Sequence, residues 1–102
     1  MSYLYEYKKD RKGQEYIEIT GYEGTIRHLS VPAIIEDLPV RSIGKSAFSG
    51  REDLFSVELP ATIDTLGRYV FYNCKNLRSI SLHDGVEDYY DGVIKQCQSL
   101  SE

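Results

Sequence analysis

Tryptophan is absent from the 102 residues, methionine occurs once and proline three times. No stretch reaches the roughly 18 consecutive apolar residues of a membrane-spanning helix, so membrane insertion is not expected. Only two cysteines, Cys74 and Cys97, are present, too few for the disulfide framework of a small secreted domain. Positive charge is in deficit too. Twelve Lys and Arg against sixteen Asp and Glu leave a net charge of −4 and a pI near 5.2, which argues against a general affinity for nucleic acid or anionic membrane. The one basic run, Lys8-Lys9-Asp10-Arg11-Lys12, lies next to Gly13 and reads as a solvated turn. The N-terminus becomes charged at once and lacks the apolar middle of a signal peptide, so the chain as written is expected in the cytoplasm, and outside it if it is a fragment of a longer exported protein.

Signatures of chemistry are equally scarce. No phosphate loop or dinucleotide glycine pattern occurs, and no Asn-x-Ser or Asn-x-Thr site. His28 and His83 share no column of the repeat described below, and no nucleophile motif surrounds them, so no catalytic residue is assigned. Two Cys and two His at these separations fit none of the short ligand spacings of structural zinc, and no metal or cofactor is expected. The acidic pairs Glu36-Asp37, Glu52-Asp53 and Glu87-Asp88 read as solvated loops. The chain is not expected to be an enzyme.

What the sequence has is a repeat. Segments starting at Val40, Ile63 and Val86 each begin 23 residues after the last, and their columns agree in chemistry. Ile43, Leu66 and Tyr89 align; so do Phe48, Phe71 and Ile94, and Leu54, Leu77 and Leu100. Val57 matches Ile80, Leu59 matches Leu82, and Cys74 lies over Cys97. An upstream copy, Leu29-Ser30-Val31-Pro32, precedes Val57-Glu58-Leu59-Pro60 by 28 residues, so five extra residues are assigned to a bulging loop at Ile35 to Pro39. The boundaries are then a single domain over 1–102, with a cap at 1–25, an irregular first repeat at 26–39, full repeats at 40–62 and 63–85, and an incomplete one at 86–102.

Within a repeat, Leu54-x-x-Val57-x-Leu59 alternates as a strand does, and Pro60 ends it. Val40 to Gly44 and Ile63 to Gly67 read as a second short extended segment closing on a glycine turn. Ser46-Ala47-Phe48 and Tyr69-Val70-Phe71 are too short for a stable α-helix and predict a single helical or 3₁₀ turn. One such coil cannot bury its apolar side alone, and stacking supplies the missing wall. The expected fold is a right-handed β-solenoid of mostly short strands, with a parallel sheet on one face and Phe48 stacked on Phe71. Tyr3-Leu4-Tyr5-Glu6-Tyr7 and Tyr16-Ile17-Glu18-Ile19-Thr20 alternate as well, and predict an N-terminal β-hairpin that caps the first coil. Cys74 and Cys97 fall one coil apart, near enough for a disulfide by Cα separation; their column beside the core favours reduced, buried thiols.

Two segments carry a resemblance. Ser42-Ile43-Gly44-Lys45-Ser46-Ala47-Phe48 with Leu54-Phe55-Ser56-Val57-Glu58-Leu59-Pro60 resembles the leucine-rich repeats of the BspA or Treponema type. The next copy, with Ile63, Leu66-Gly67, Phe71, Cys74, Leu77, Ile80 and Leu82, is similar. The resemblance spans residues 26 to 102; Tyr89-Tyr90 departs from the pattern in the third copy. It implies bacterial proteins, often at the cell surface, that bind other proteins or host matrix.

The side chains pointing outward from the apolar strand columns form the candidate binding face: Ser30, Glu58 and Ser81 in one column, His28, Ser56 and Ser79 in the next, with Phe55 and Arg78 beside them and Arg27 flanking. The expected role is a non-catalytic scaffold that takes a protein or peptide on this face. The alternative is a structural or self-associating fragment of a longer repeat protein. The third copy stops at Glu102 before its strand is complete, which predicts an uncovered edge around Leu82, Val93, Ile94 and Leu100 and a homodimer through it.

Overall fold

The computed structural model describes residues 2–81, a short strand at 88–89 and Cys97. The chain enters as an antiparallel hairpin of β1 (Ser2–Lys9) and β2 (Glu15–Glu23). Asp10 closes the turn between them: its carboxylate accepts the amides of Lys12 and Gln14 at 2.9 Å, and Gly13 takes a φ of +81° there. Ile17 and Ile19 on β2 are fully buried, while β1 stays largely exposed.

Beyond the hairpin the chain coils, and two ladders of parallel strands run along the stack. The first consists of β3 (His28–Ser30), β6 (Ser56–Glu58) and β8 (Ser79–Ser81). Its register pairs Leu29 with Val57 and Val57 with Ile80, the columns read from the sequence. The second joins β2 to β5 (Leu38–Ile43), β5 to β7 (Thr65–Leu66) and β7 to β9 (Asp88–Tyr89). The expectation of a single parallel sheet is thus too small. The return path of each coil is extended too, and its amides meet the same groups one coil on, so it also pairs.

The five-residue insertion corrects a second expectation. In place of a bulging loop, β4 (Ile34–Ile35) pairs antiparallel with the start of β5, Ile34 opposite Pro39 and Ile35 opposite Leu38. Glu36 and Asp37 turn the chain with φ of +51° and +66°. Positive φ at both central residues is the mark of a type I′ hairpin turn, whose twist matches its strands.

No helix forms among the described residues. Where a helical turn was expected, isolated i→i+3 bonds occur instead, Ala47 N–H to Gly44 and Tyr72 N–H to Tyr69. Propagation is blocked because Ser46 and Gly50, and one coil on Tyr69 and Asn73, all sit at φ between +59° and +74°. The remaining amides serve the stack: Ser46, Phe48 and Gly50 donate to the carbonyls of Arg68, Val70 and Tyr72 at 2.8–3.0 Å.

The core between the ladders follows the apolar columns. Leu54 and Leu77, Ile43 and Leu66, and Val40 and Ile63 are all inaccessible to solvent. Phe48 and Phe71 stack with ring centroids 5.8 Å apart and planes 13° from parallel. Gly44 and Gly67 share a column for a reason other than a turn. Neither has a positive φ, but a Cβ on Gly67 would lie 2.7 Å from the Lys45 amide nitrogen and 2.9 Å from the Gly44 carbonyl carbon. The Gly67 amide meanwhile donates to Ile43 at 2.8 Å. The coils approach too closely here for any side chain.

Two substitutions test this packing. Phe71→Ala is expected to cost about 3–5 kcal/mol, because the void lies under a stacked ring. Gly67→Ala should lower the melting temperature although it adds a single methyl group, while Gly13→Ala, with open space around its Cβ, should cost only the strain of its backbone. Thermal unfolding followed by circular dichroism reads all three; an unchanged melting point for Gly67→Ala would refute the close approach.

Candidate binding face and the cysteine column

The β3–β6–β8 ladder brings all eight expected face residues together. Its inward side chains, Leu29 and Val57, are buried, and the alternating pleat turns their neighbours outward. Across the strands, His28, Ser56 and Ser79 stand in register, as do Ser30, Glu58 and Ser81. Six of the eight are exposed; Phe55 and Ser56 are half-buried. His28 Nδ1 is hydrogen-bonded to Ser56 Oγ, and its Nε2 lies 3.8 Å from the Glu58 carboxylate. This chain of contacts fixes three polar side chains diagonally across two coils.

At the entrance to the strands sits a cluster that the sequence placed only in part. The Phe55 amide donates to the Arg27 carbonyl at 2.7 Å, and the Arg78 amide to the Phe55 carbonyl at 2.8 Å. The three residues therefore form one column. Arg27 holds its guanidinium carbon 4.6 Å from the Phe55 ring centroid and Arg78 holds its own at 5.4 Å. Arg27 was outside the expected set of face residues, although it flanks them.

A second polar group lies on the hairpin side. Arg41 donates to Asp10 at 2.9 Å and to Asp64 at 3.3 Å, with its guanidinium carbon 4.7 Å from the Tyr16 ring centroid. The Arg41 hydrogen bond holds the Asp10 carboxyl below its usual range. Asp10, Arg41 and Asp64 line an open cleft of about 560 Å³ with Arg11, Lys12 and Glu15. Arg41 is committed to two carboxylates, so the cleft has a structural bond at its centre.

The cysteines are free. Cys74 is buried and donates its S–H to the Phe48 carbonyl at 3.1 Å; Cys97 repeats the contact one coil on, to Phe71, at 2.9 Å. Burial pushes the Cys74 thiol up to about 11, and raises that of Cys97 as well. Reactivity belongs to the thiolate, which the raised values disfavour in both; Cys97 is only partly buried, short of the burial expected for it. His83, and the edge residues Leu82, Val93, Ile94 and Leu100, lie outside the described residues.

Stacked 23-residue coils with paired strands and an apolar column between them define a leucine-rich-repeat protein. The family model described as a BspA type leucine rich repeat region (6 copies) matches residues 25–102, and the chain belongs to that family. Among solved structures it is similar to the Treponema pallidum leucine-rich-repeat protein, with 30% identity, a TM-score of 0.84 and coverage of 94% of this chain and 44% of that one. A leucine-rich-repeat protein of Bacteroides ovatus shares the fold at 23% identity and a TM-score of 0.85, over 100% of this chain and 27% of the other. So does a leucine-rich cell surface protein of Faecalibacterium prausnitzii, at 24% identity and 0.76, over 99% and 30%. The chain thus spans less than half the length of each of these relatives. No curated protein matches it.

The thiol column makes a pH prediction. The folded Cys74 value lies above the ordinary 9.0, so its protonated form is the one the fold favours. Its contribution is complete below about pH 9 and is lost as pH rises towards about 11. The melting temperature should fall across that interval more steeply for the wild type than for Cys74→Ala. Parallel slopes would show that the thiol is not desolvated.

Proposed function

We propose that this domain is a right-handed leucine-rich-repeat solenoid that binds an extended segment of another protein on its β3–β6–β8 face and catalyses no reaction. The supporting observation is the face itself: exposed polar side chains in two straight columns, ordered by the His28–Ser56 contact and edged by Phe55 between two arginines. An open, shallow sheet of small polar groups suits a peptide better than a metabolite, which needs enclosure. The right-handed course follows from the general preference of parallel crossovers. The repeats at 40–62 and 63–85 are the full coils and 86–102 the incomplete one, with 1–25 as the cap. No helix among the described residues is long and apolar enough to cross a membrane; a surface location is proposed from the cell surface protein of the same fold.

A second reading has its own support. Three of the similar structures are more than twice as long as this chain, which favours a structural or self-associating section of a longer repeat array, with contacts through the C-terminal edge.

Selection of peptides from a random display library on the folded domain tests the first reading. Selected peptides should lose at least about tenfold in affinity for Ser79→Gln, which adds bulk to the exposed column, and should bind Lys12→Ala, on the hairpin turn, as they bind the wild type. Equal binding to Ser79→Gln would place recognition elsewhere.

A further inference from the structure

Taking the strand face as the binding face, we infer that its partner is an acidic protein segment, whose carboxylates are taken by the Arg27–Phe55–Arg78 column. The observation is an imbalance of charge within one short row. Arg27 and Arg78 are exposed and come from the coils on either side of Phe55, and both guanidiniums are held against its ring. Among the described residues neither meets a carboxylate. The other guanidiniums engaged with rings behave differently: Arg41 is paired with Asp10 and Asp64, and Arg51 with Asp53. A ring contact fixes the position of a guanidinium but leaves its in-plane N–H groups free, and these match a carboxylate bidentately. The column therefore presents two oriented, unneutralised forks on a protein of net charge −4.

Geometry sets the spacing of the ligand. Arg27 and Arg78 stand two strand steps apart, about 9–10 Å at the usual separation of neighbouring strands. An extended segment running along the stack returns to the same face every second residue, about 6.5–7 Å, so acidic side chains two positions apart both face the column and their flexible arms reach both forks. Phe55 lies between them as the apolar contact. The nearest acidic group on the face, Glu58, is already drawn towards His28. The overall negative charge does not oppose this recognition at close range, because at physiological salt fields are screened beyond about 8 Å.

Titration of the whole domain with two synthetic peptides, followed by backbone amide NMR, tests the inference. One carries two glutamates two positions apart, on one face of the extended chain, in a Ser/Thr/Val background, and the other has glutamine at both positions. The glutamate peptide should bind at least about tenfold more tightly, the preference should shrink as salt rises, and Arg27→Gln/Arg78→Gln should abolish it. Both arginines are exposed, so the double variant tests charge and not folding, which its unchanged amide spectrum would verify. Equal binding of the two peptides, or an unaffected preference in the double variant, would overturn the inference. A single-stranded oligonucleotide that bound as well as the glutamate peptide would overturn it too. Failure here is distinct from failure of the binding face. Library peptides that respond to Ser79→Gln but show no acidic bias would leave the face standing and remove only its acidic partner.

Discussion

The fold depends on backbone groups of one coil reaching those of the next around most of its perimeter. A short coil has little interior of its own, and its amides would be stranded without a partner at the same height. The bonds are therefore laid down in parallel on both ladders and across the turns, from Gly67 to Ile43, Phe48 to Val70, Phe55 to Arg27 and Leu59 to Ser81. Each ties a residue to one roughly a coil away. Such a ladder imposes equal path lengths and forbids bulk wherever backbones nearly touch, which is why glycine recurs at 44 and 67. It also explains an otherwise costly choice, Tyr69 at a φ of +62°. The coil below turns left-handed at Ser46, and a stacked coil must turn with it.

The first coil has to satisfy the same constraint with five additional residues. The chain folds them back on themselves as the β4–β5 hairpin, so that Val40 re-enters the second ladder opposite Ile17. The junction with the N-terminal hairpin is then sealed by one side chain. Arg51 donates to the carbonyls of Tyr22 and Gly24 and to the Asp53 carboxylate, which in turn accepts the Ile26 amide. The segment between β2 and β3 leaves the regular ladder, and these contacts take up polar groups that the neighbouring coil does not reach. Side chains do here what backbone does elsewhere.

This division explains what was legible in the sequence. Apolar columns report burial, and Phe48, Phe71, Leu54, Leu77 and Ile43 are inaccessible in the fold as their spacing required. The strand register follows from the same columns, and with it the grouping of His28, Ser56 and Ser79. Contacts between backbones leave almost no trace in side-chain chemistry. In the sequence the second ladder therefore shows only as an extended return path, and Gly67 only as a turn glycine. The Glu36-Asp37 turn was hidden because two acids in sequence look like a solvated loop, and left-handed φ is rarely signalled by Glu. The row of Arg27, Phe55 and Arg78 follows from the same register, but the stacking of both guanidiniums on the ring does not, since spacing carries no signal for it.

The stack also decides where variation is free. Inward columns are fixed by packing, and the turn side is fixed by inter-coil bonds and by left-handed positions. Only the outward residues of β3, β6 and β8 can change without altering path length, since their backbone bonds are indifferent to the side chain above them. Most of these positions carry serine, a small side chain with little packing role. The row just ahead of these strands departs from that economy. Phe55 is an aromatic ring at the rim of a polar sheet, where burial alone does not call for one, and it is flanked by cations from two different coils. Nothing in the stacking constraint requires that arrangement. On the function proposed above, the surface of a partner supplies that requirement.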